Sequence, residues 1–123
     1  MKFGFIVAAA VLASSTALGH AQDVAEGEKV FKKCVACHAV GENARNKVGP
    51  ALNGIAGAPI AEVEGFKYSK ALEEKAGETW TDELMAAWLA NPRDFAKGTK
   101  MAFAGLKKDD EIANVIAYLK TFD

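Results

Sequence analysis

Apolar side chains at Ile112, Val115, Ile116 and Leu119 recur at spacings of three and four, so they share one face of a helix that begins near Asp109. An earlier stretch has the same period. Val24, Gly27, Val30 and Phe31 line one face after Asp23, a residue suited to the N-cap, and that helix runs toward Cys34. "TDELMAAWLANP" predicts a third helix, started by Thr81 or Thr79, with Leu84, Trp88 and Leu89 on one side and Asn91-Pro92 as its stop. A short helix is expected from Ser69 to Lys75. The stretch 39–66 is rich in Gly and holds Pro50 and Pro59, so it reads as loops, as does "RDFAKGTKMAFAG". No stretch sustains the alternation of a strand, and no internal repeat stands out. The class is all-α, a few helices joined by long loops, and such loops need something to fold around or a function to explain them.

The beginning of the chain follows a different pattern. Lys2 precedes a run poor in charge from Phe3 to Leu18, and "GHAQD" follows, with small residues at Gly19 and Ala21. This is the layout of a signal peptide, with cleavage expected after Ala21 and export to the periplasm. The run is short for a membrane span of about 20 residues; an uncleaved N-terminal anchor is the alternative. Residues 1–21 are therefore read as a signal peptide and 22–123 as one domain. Without Lys2, 14 basic side chains face 16 acidic ones, a formal charge of −2. That balance excludes a general nucleic-acid binder. A domain of this size buries a modest core, and a bound cofactor would add apolar contact.

Chemistry concentrates in "CVACH", residues 34–38, which holds both cysteines of the chain. Three readings compete. A structural zinc site needs four ligands, and after export only Cys34, Cys37 and His38 remain among Cys and His, because His20 leaves with the leader. A thioredoxin-like dithiol belongs beside a βαβ pattern, and no strand is predicted here. Attachment of haem c fits best, since C-x-x-C-H is its recognised signal. Two thiols spaced i, i+3 share a helical face and reach one porphyrin edge, where they add to the vinyl groups as thioethers. The next residue, His38, then offers Nε2 to the iron.

A second axial ligand must come from elsewhere, and no other histidine remains. Methionine is the expected partner in electron-transfer haem proteins. Met85 falls inside an amphipathic helix and reads as core. Met101, in the lysine-containing loop "KGTKMAFAG", is the stronger candidate. A ligating imidazole usually donates its other N–H to a carbonyl, and "VGP" offers that of Pro50 on a stiff turn.

Together "CVACH", "VGPALNG", "GFKYSKAL", "TWTDELMAAWLANP", "KGTKMAFAG" and "VIAYLK" resemble the class I c-type cytochromes, in particular the soluble bacterial members nearest mitochondrial cytochrome c. The resemblance spans essentially residues 23–121. It implies four to five helices with long loops around one covalently bound haem, the first and last helices crossing. It implies thioethers at Cys34 and Cys37, axial ligands His38 and Met101, and the Pro50 carbonyl on His38. It places Tyr68 and Trp80 on a buried haem propionate, and Gly27, Phe31 and Tyr118 where the terminal helices cross. Two departures bear on the reduction potential: Trp88 stands where the mitochondrial form has a tyrosine, and Ala58 where an arginine commonly faces a propionate.

Both axial positions filled by protein leave none open to oxygen or substrate, so the expected function is a one-electron carrier and not an enzyme. A haem peroxidase or gas-binding sensor, with Met101 dissociating, is the alternative; a haem-free redox or zinc module is a third. Charge supports docking. Residues 29–47 hold five basic groups and one acid, 97–108 hold four lysines and no acid, and 62–83 hold seven acids against three lysines. A rim of Lys33, Lys47, Lys97, Lys100 and Lys107 would steer a monomeric carrier onto acidic partners. By resemblance these are a quinol–cytochrome c reductase as donor and a terminal oxidase or photosynthetic reaction centre as acceptor.

Overall fold

The computed structural model describes residues 22–123 and, before them, Gly4 alone. The expected signal peptide and its cleavage point on the Ala21 side therefore lie outside the described residues. Five helices are present among those described: α1 (Val24–Phe31), α2 (Lys70–Glu73), α3 (Asp82–Ala90), α4 (Pro92–Phe95) and α5 (Asp109–Leu119). No helix among them is long and apolar enough to cross a membrane.

Local chemistry sets most of the boundaries. Asp23 caps α1 by accepting from the Glu26 N–H at 3.1 Å. Ser69 caps α2 through the Leu72 N–H, and Thr81, not Thr79, caps α3 through the Leu84 N–H. The stretch expected to be loop after Asn91 begins instead with α4. Asn91 ends α3 and also accepts from the Asp94 N–H as the cap of α4, with Pro92 in the first turn where its missing N–H is harmless. Helix α5 has no side-chain cap, but Asp109, Asp110 and Glu111 in its first turn favour the positive end of the helix.

The terminal helices α1 and α5 pack against each other. At Gly27 a Cβ would run into the Asn114 carbonyl and lie 2.8 Å from the Tyr118 Cβ, so only glycine permits this approach. The Phe31 and Tyr118 rings meet with centroids 5.5 Å apart. Beneath this pair the core continues through Ile60, Leu72, Trp80, Leu89, Leu106 and Val115. One feature has no periodic trace in the sequence. Residues 57–60 run beside 78–80, with Gly57 N–H to Trp80 O, Trp80 N–H to Ala58 O and Ile60 N–H to Glu78 O at 2.8–2.9 Å. Only isolated bridges result, no named strand. The strip fixes Trp80 as a wall of the interior space.

Candidate cofactor site

A cavity of about 350 Å³ opens in the middle of the molecule. Its walls include Cys34, Cys37, His38 and Pro50 on one side and Met101 from the late loop. Tyr68 and Trp80 complete the set expected from the sequence, so all seven residues are brought to one space.

The attachment side is built by tight turns. After α1 the chain turns through Cys34 N–H to Phe31 O (2.8 Å), Cys37 N–H to Cys34 O (3.1 Å) and His38 N–H to Cys34 O (2.9 Å). Both thiols are free and half-buried. Burial raises the Cys34 pKa above the ordinary thiol value, against the lowering by Lys33, and Cys37 adds to the rise. A reactive redox thiolate is favoured by the opposite shift, so the burial of Cys34 lends the dithiol reading no support. No three His, Cys, Asp or Glu side chains gather as a metal site among the described residues.

His38 is fixed by its neighbours. Its Nδ1 lies 2.8 Å from the Pro50 carbonyl. A carbonyl only accepts, so Nδ1 carries the proton and Nε2 keeps a bare lone pair, the form a metal needs. Burial lowers the His38 pKa, the Pro50 bond opposes that, and Lys47 lowers it further, so the surroundings favour the neutral imidazole. The Gly49 backbone lies directly against the ring, where any Cβ would strike it. The Gly49 N–H is tied to Cys37 O at 2.9 Å, so turn and ligand hold one another.

The Met101 part of the cavity wall is held differently. Met101 is half-buried in a loop whose internal bonds are few: Thr99 N–H to Ala96 O at 3.0 Å, and the Met101 N–H to Thr99 Oγ1 at 3.4 Å. The far end is clamped. Leu106 N–H bonds Leu89 O at 2.8 Å, and Gly105, at φ +114°, presses on the Ala90 carbonyl where no Cβ could fit. Met85 also lines the cavity but is 4% exposed and packed in the core of α3. Trp88 lines it too, its ring 5.8 Å from that of Trp80 and 5.7 Å from Phe95. Ala58 contributes backbone, its carbonyl accepting from Trp80.

Tyr68 accepts the Val63 N–H at 3.0 Å, which leaves its own O–H to donate. Burial raises the Tyr68 pKa, so that proton stays in place, while the Val63 bond works the other way. The lysines of the expected rim are all exposed, and Lys33 and Lys100 border the cavity. Lys33 is not a free charge, because it pairs with Glu111 at 3.1 Å. Lys47 donates to the Val35 carbonyl and Lys107 to that of Ala104. The sequence reading missed two apolar side chains here: Val48 at the cavity edge is 76% exposed, and Val35 between the cysteines 48%. Their burial could be judged only from the turns around them.

These residues fit a haem of the c type: two thiols, an imidazole with its Nε2 free and a thioether all line one largely apolar cavity. Comparison with known proteins agrees. The family model described as cytochrome c matches residues 24–123. The chain is 47% identical over 113 residues to cytochrome c2 of Blastochloris viridis, covering 92% of this chain and 88% of that protein. It is 52% identical over 101 residues to cytochrome c-550 of Ancylobacter novellus, covering 80% and 94%. The solved structure of cytochrome c2 from Rhodospirillum centenum superposes with a TM-score of 0.75 at 43% identity, covering 81% of this chain and 98% of that one.

Proposed function

The chain belongs to the cytochrome c family, and from that premise we propose that it is a periplasmic carrier whose haem is held by Cys34 and Cys37 and ligated by His38 and Met101. Haem c bound covalently is the cofactor, and it supplies a one-electron iron couple. The observation that carries the assignment is the cavity itself, lined by both the Pro50-locked His38 and Met101.

Each residue has a definite task. Cys34 and Cys37 anchor the group to the turn after α1. Pro50 holds the proton on Nδ1 and so aims Nε2. The Met101 thioether is a soft neutral ligand and, with apolar walls, favours the reduced state. The Tyr68 O–H and the Trp80 indole N–H, both lining the cavity, would be the donors available to a propionate of the bound haem. With His38 and Met101 both held to the iron, no open position would remain for oxygen or substrate, the condition for a carrier and not an enzyme. Processing between Ala21 and Gln22 delivers the domain to the periplasm as a monomer.

The test is ligand access. Exported wild-type protein should bind neither carbon monoxide (reduced) nor cyanide (oxidised) readily at neutral pH, whereas Met101→Ala should bind both. Ready binding by wild type would favour the peroxidase or gas-sensor reading.

Docking would rest on the exposed Lys47, Lys97, Lys100 and Lys107, with Lys100 and the exposed Val48 bordering the cavity and Lys33 contributing through its pair with Glu111. The partners are a quinol–cytochrome c reductase and a terminal oxidase or reaction centre. Reversing Lys47 and Lys100 to Glu should slow second-order electron transfer about tenfold or more at low salt, with the gap closing as salt rises. Unchanged stopped-flow rates would remove the rim from the account.

A further inference from the structure

Asn46 is exposed and does not line the cavity, yet both ends of its carboxamide are engaged. Its Oδ1 accepts the Ala51 N–H at 2.9 Å, and its Nδ2 donates to the Glu64 carbonyl at 3.0 Å. A backbone N–H only donates and a carbonyl only accepts, so the partners fix which end of the side chain is oxygen. The Ala51 N–H belongs to the same peptide unit as the Pro50 carbonyl, and that carbonyl accepts from His38 Nδ1 at 2.8 Å. Three hydrogen bonds therefore run head to tail: His38 to the Pro50–Ala51 peptide, that peptide to Asn46, and Asn46 to the Glu64 carbonyl. We propose that Asn46 is a positioning residue for His38, acting through the Pro50–Ala51 peptide to make the imidazole a more basic ligand. This rests on the reading of His38 as an axial ligand of the haem.

Each amide in the chain accepts at oxygen and donates at nitrogen in the same sense. Such bonds polarise one another, by roughly 10–30% per bond. Drawing on the Ala51 N–H moves electron density toward the Pro50 oxygen and tightens its hold on the Nδ1 proton. The more strongly that proton is drawn, the more basic Nε2 becomes. A more basic nitrogen ligand favours ferric iron, whereas the Met101 thioether favours the reduced state. Asn46 thus acts on the histidine side of a balance whose other side is Met101.

The fold holds this acceptor in place. Lys47 N–H bonds Gly49 O at 2.8 Å and Gly49 N–H bonds Cys37 O at 2.9 Å, so the segment carrying Asn46 is tied to the attachment turn. From the other side the 64–65 backbone passes close by: Gly65, at φ +77°, would place a Cβ 3.6 Å from Asn46 Nδ2. Water at this exposed position would accept the same N–H, but without a fixed direction.

The experiment is the reduction potential, with NMR of the His38 Nδ1–H, for haem-loaded Asn46→Ala and Asn46→Asp. Asn43→Asp, an exposed change in the same loop, is the control for added charge. Both Asn46 variants lose the donor to Glu64, and only Asp keeps an acceptor for Ala51, now a charged and stronger one. Asn46→Ala should raise the potential and move the ferrous Nδ1–H resonance upfield. Asn46→Asp should lower the potential by more than Asn43→Asp does and move that resonance downfield. A mere tether between the two loops would shift both Asn46 variants the same way, and that result overturns the inference. An Asn46→Asp effect no larger than the control's, or a resonance that ignores both variants, overturns it too. The wild-type ferric spectrum checks the premise separately: a His38 ring without hyperfine shifts is not on the iron, and the ligand assignment itself then fails.

Discussion

The two walls of the cavity hold their candidate ligands by different means. On the histidine side everything is local: five consecutive residues supply both thiols and the imidazole, and Pro50, twelve positions on, fixes the ring. On the methionine side the ligand hangs in a loop that is sparsely bonded within and clamped at its far end, where Gly105 meets Ala90 and Leu106 bonds Leu89. The first wall is over-determined; the second depends on one long-range junction. The methionine wall should therefore yield first under any stress, leaving the haem attached.

The largest effect should come from separating the two walls. Replacing Cys34 and Cys37 together by Ala should abolish covalent haem, seen as loss of haem staining on a denaturing gel. Met101→Ala should keep full staining and lose the positive reduction potential. Loss of attachment in Met101→Ala would break the comparison.

Glycine replacements sharpen it. Gly105→Ala combines a left-handed φ with a clash against backbone, and should destabilise by at least about 2 kcal/mol. Its ferric spectrum should also lose the far-red sulfur-to-iron charge-transfer band. Gly49→Ala pushes only on the His38 ring and should cost about 1–3 kcal/mol, with that band retained. Thermal melts and ferric spectra on both variants decide the matter.

Tyr68 lines the cavity but carries neither candidate ligand, and serves as a control. Tyr68→Phe leaves the Val63 N–H without its partner and should cost about 1 kcal/mol, with the axial ligands undisturbed. Because burial raises the folded Tyr68 pKa above its unfolded value near 10, its contribution is complete below that pH. It is lost as pH rises toward the folded value, since the unfolded chain gives up the proton first. Denaturant midpoints from pH 9 upward should fall less steeply in Tyr68→Phe than in wild type.

The same contrast explains what was legible in the sequence. CVACH could be read because its chemistry is contiguous, and α1, α3 and α5 because apolar period and caps agree. Met101 was reached as the methionine left outside a helix, and it lines the same cavity as His38. Tyr68 and Trp80 came only through family resemblance, since an aromatic bound for a cavity wall looks like one bound for core. Helix α4 was missed because Asn91 ends one helix while capping the next. The strip joining 57–60 to 78–80 and the pair of Lys33 with Glu111, 78 residues apart, leave no periodic mark. Long-range bonds between loops are fixed by packing, and no window of sequence contains both partners.

One measurement tests the central claim most directly: a spectroelectrochemical redox titration of the purified, exported protein. The account predicts a single one-electron wave at clearly positive potential, with a ferric far-red sulfur band that disappears on reduction. A low or multiphase wave without that band would place something other than Met101 on the iron and contradict it.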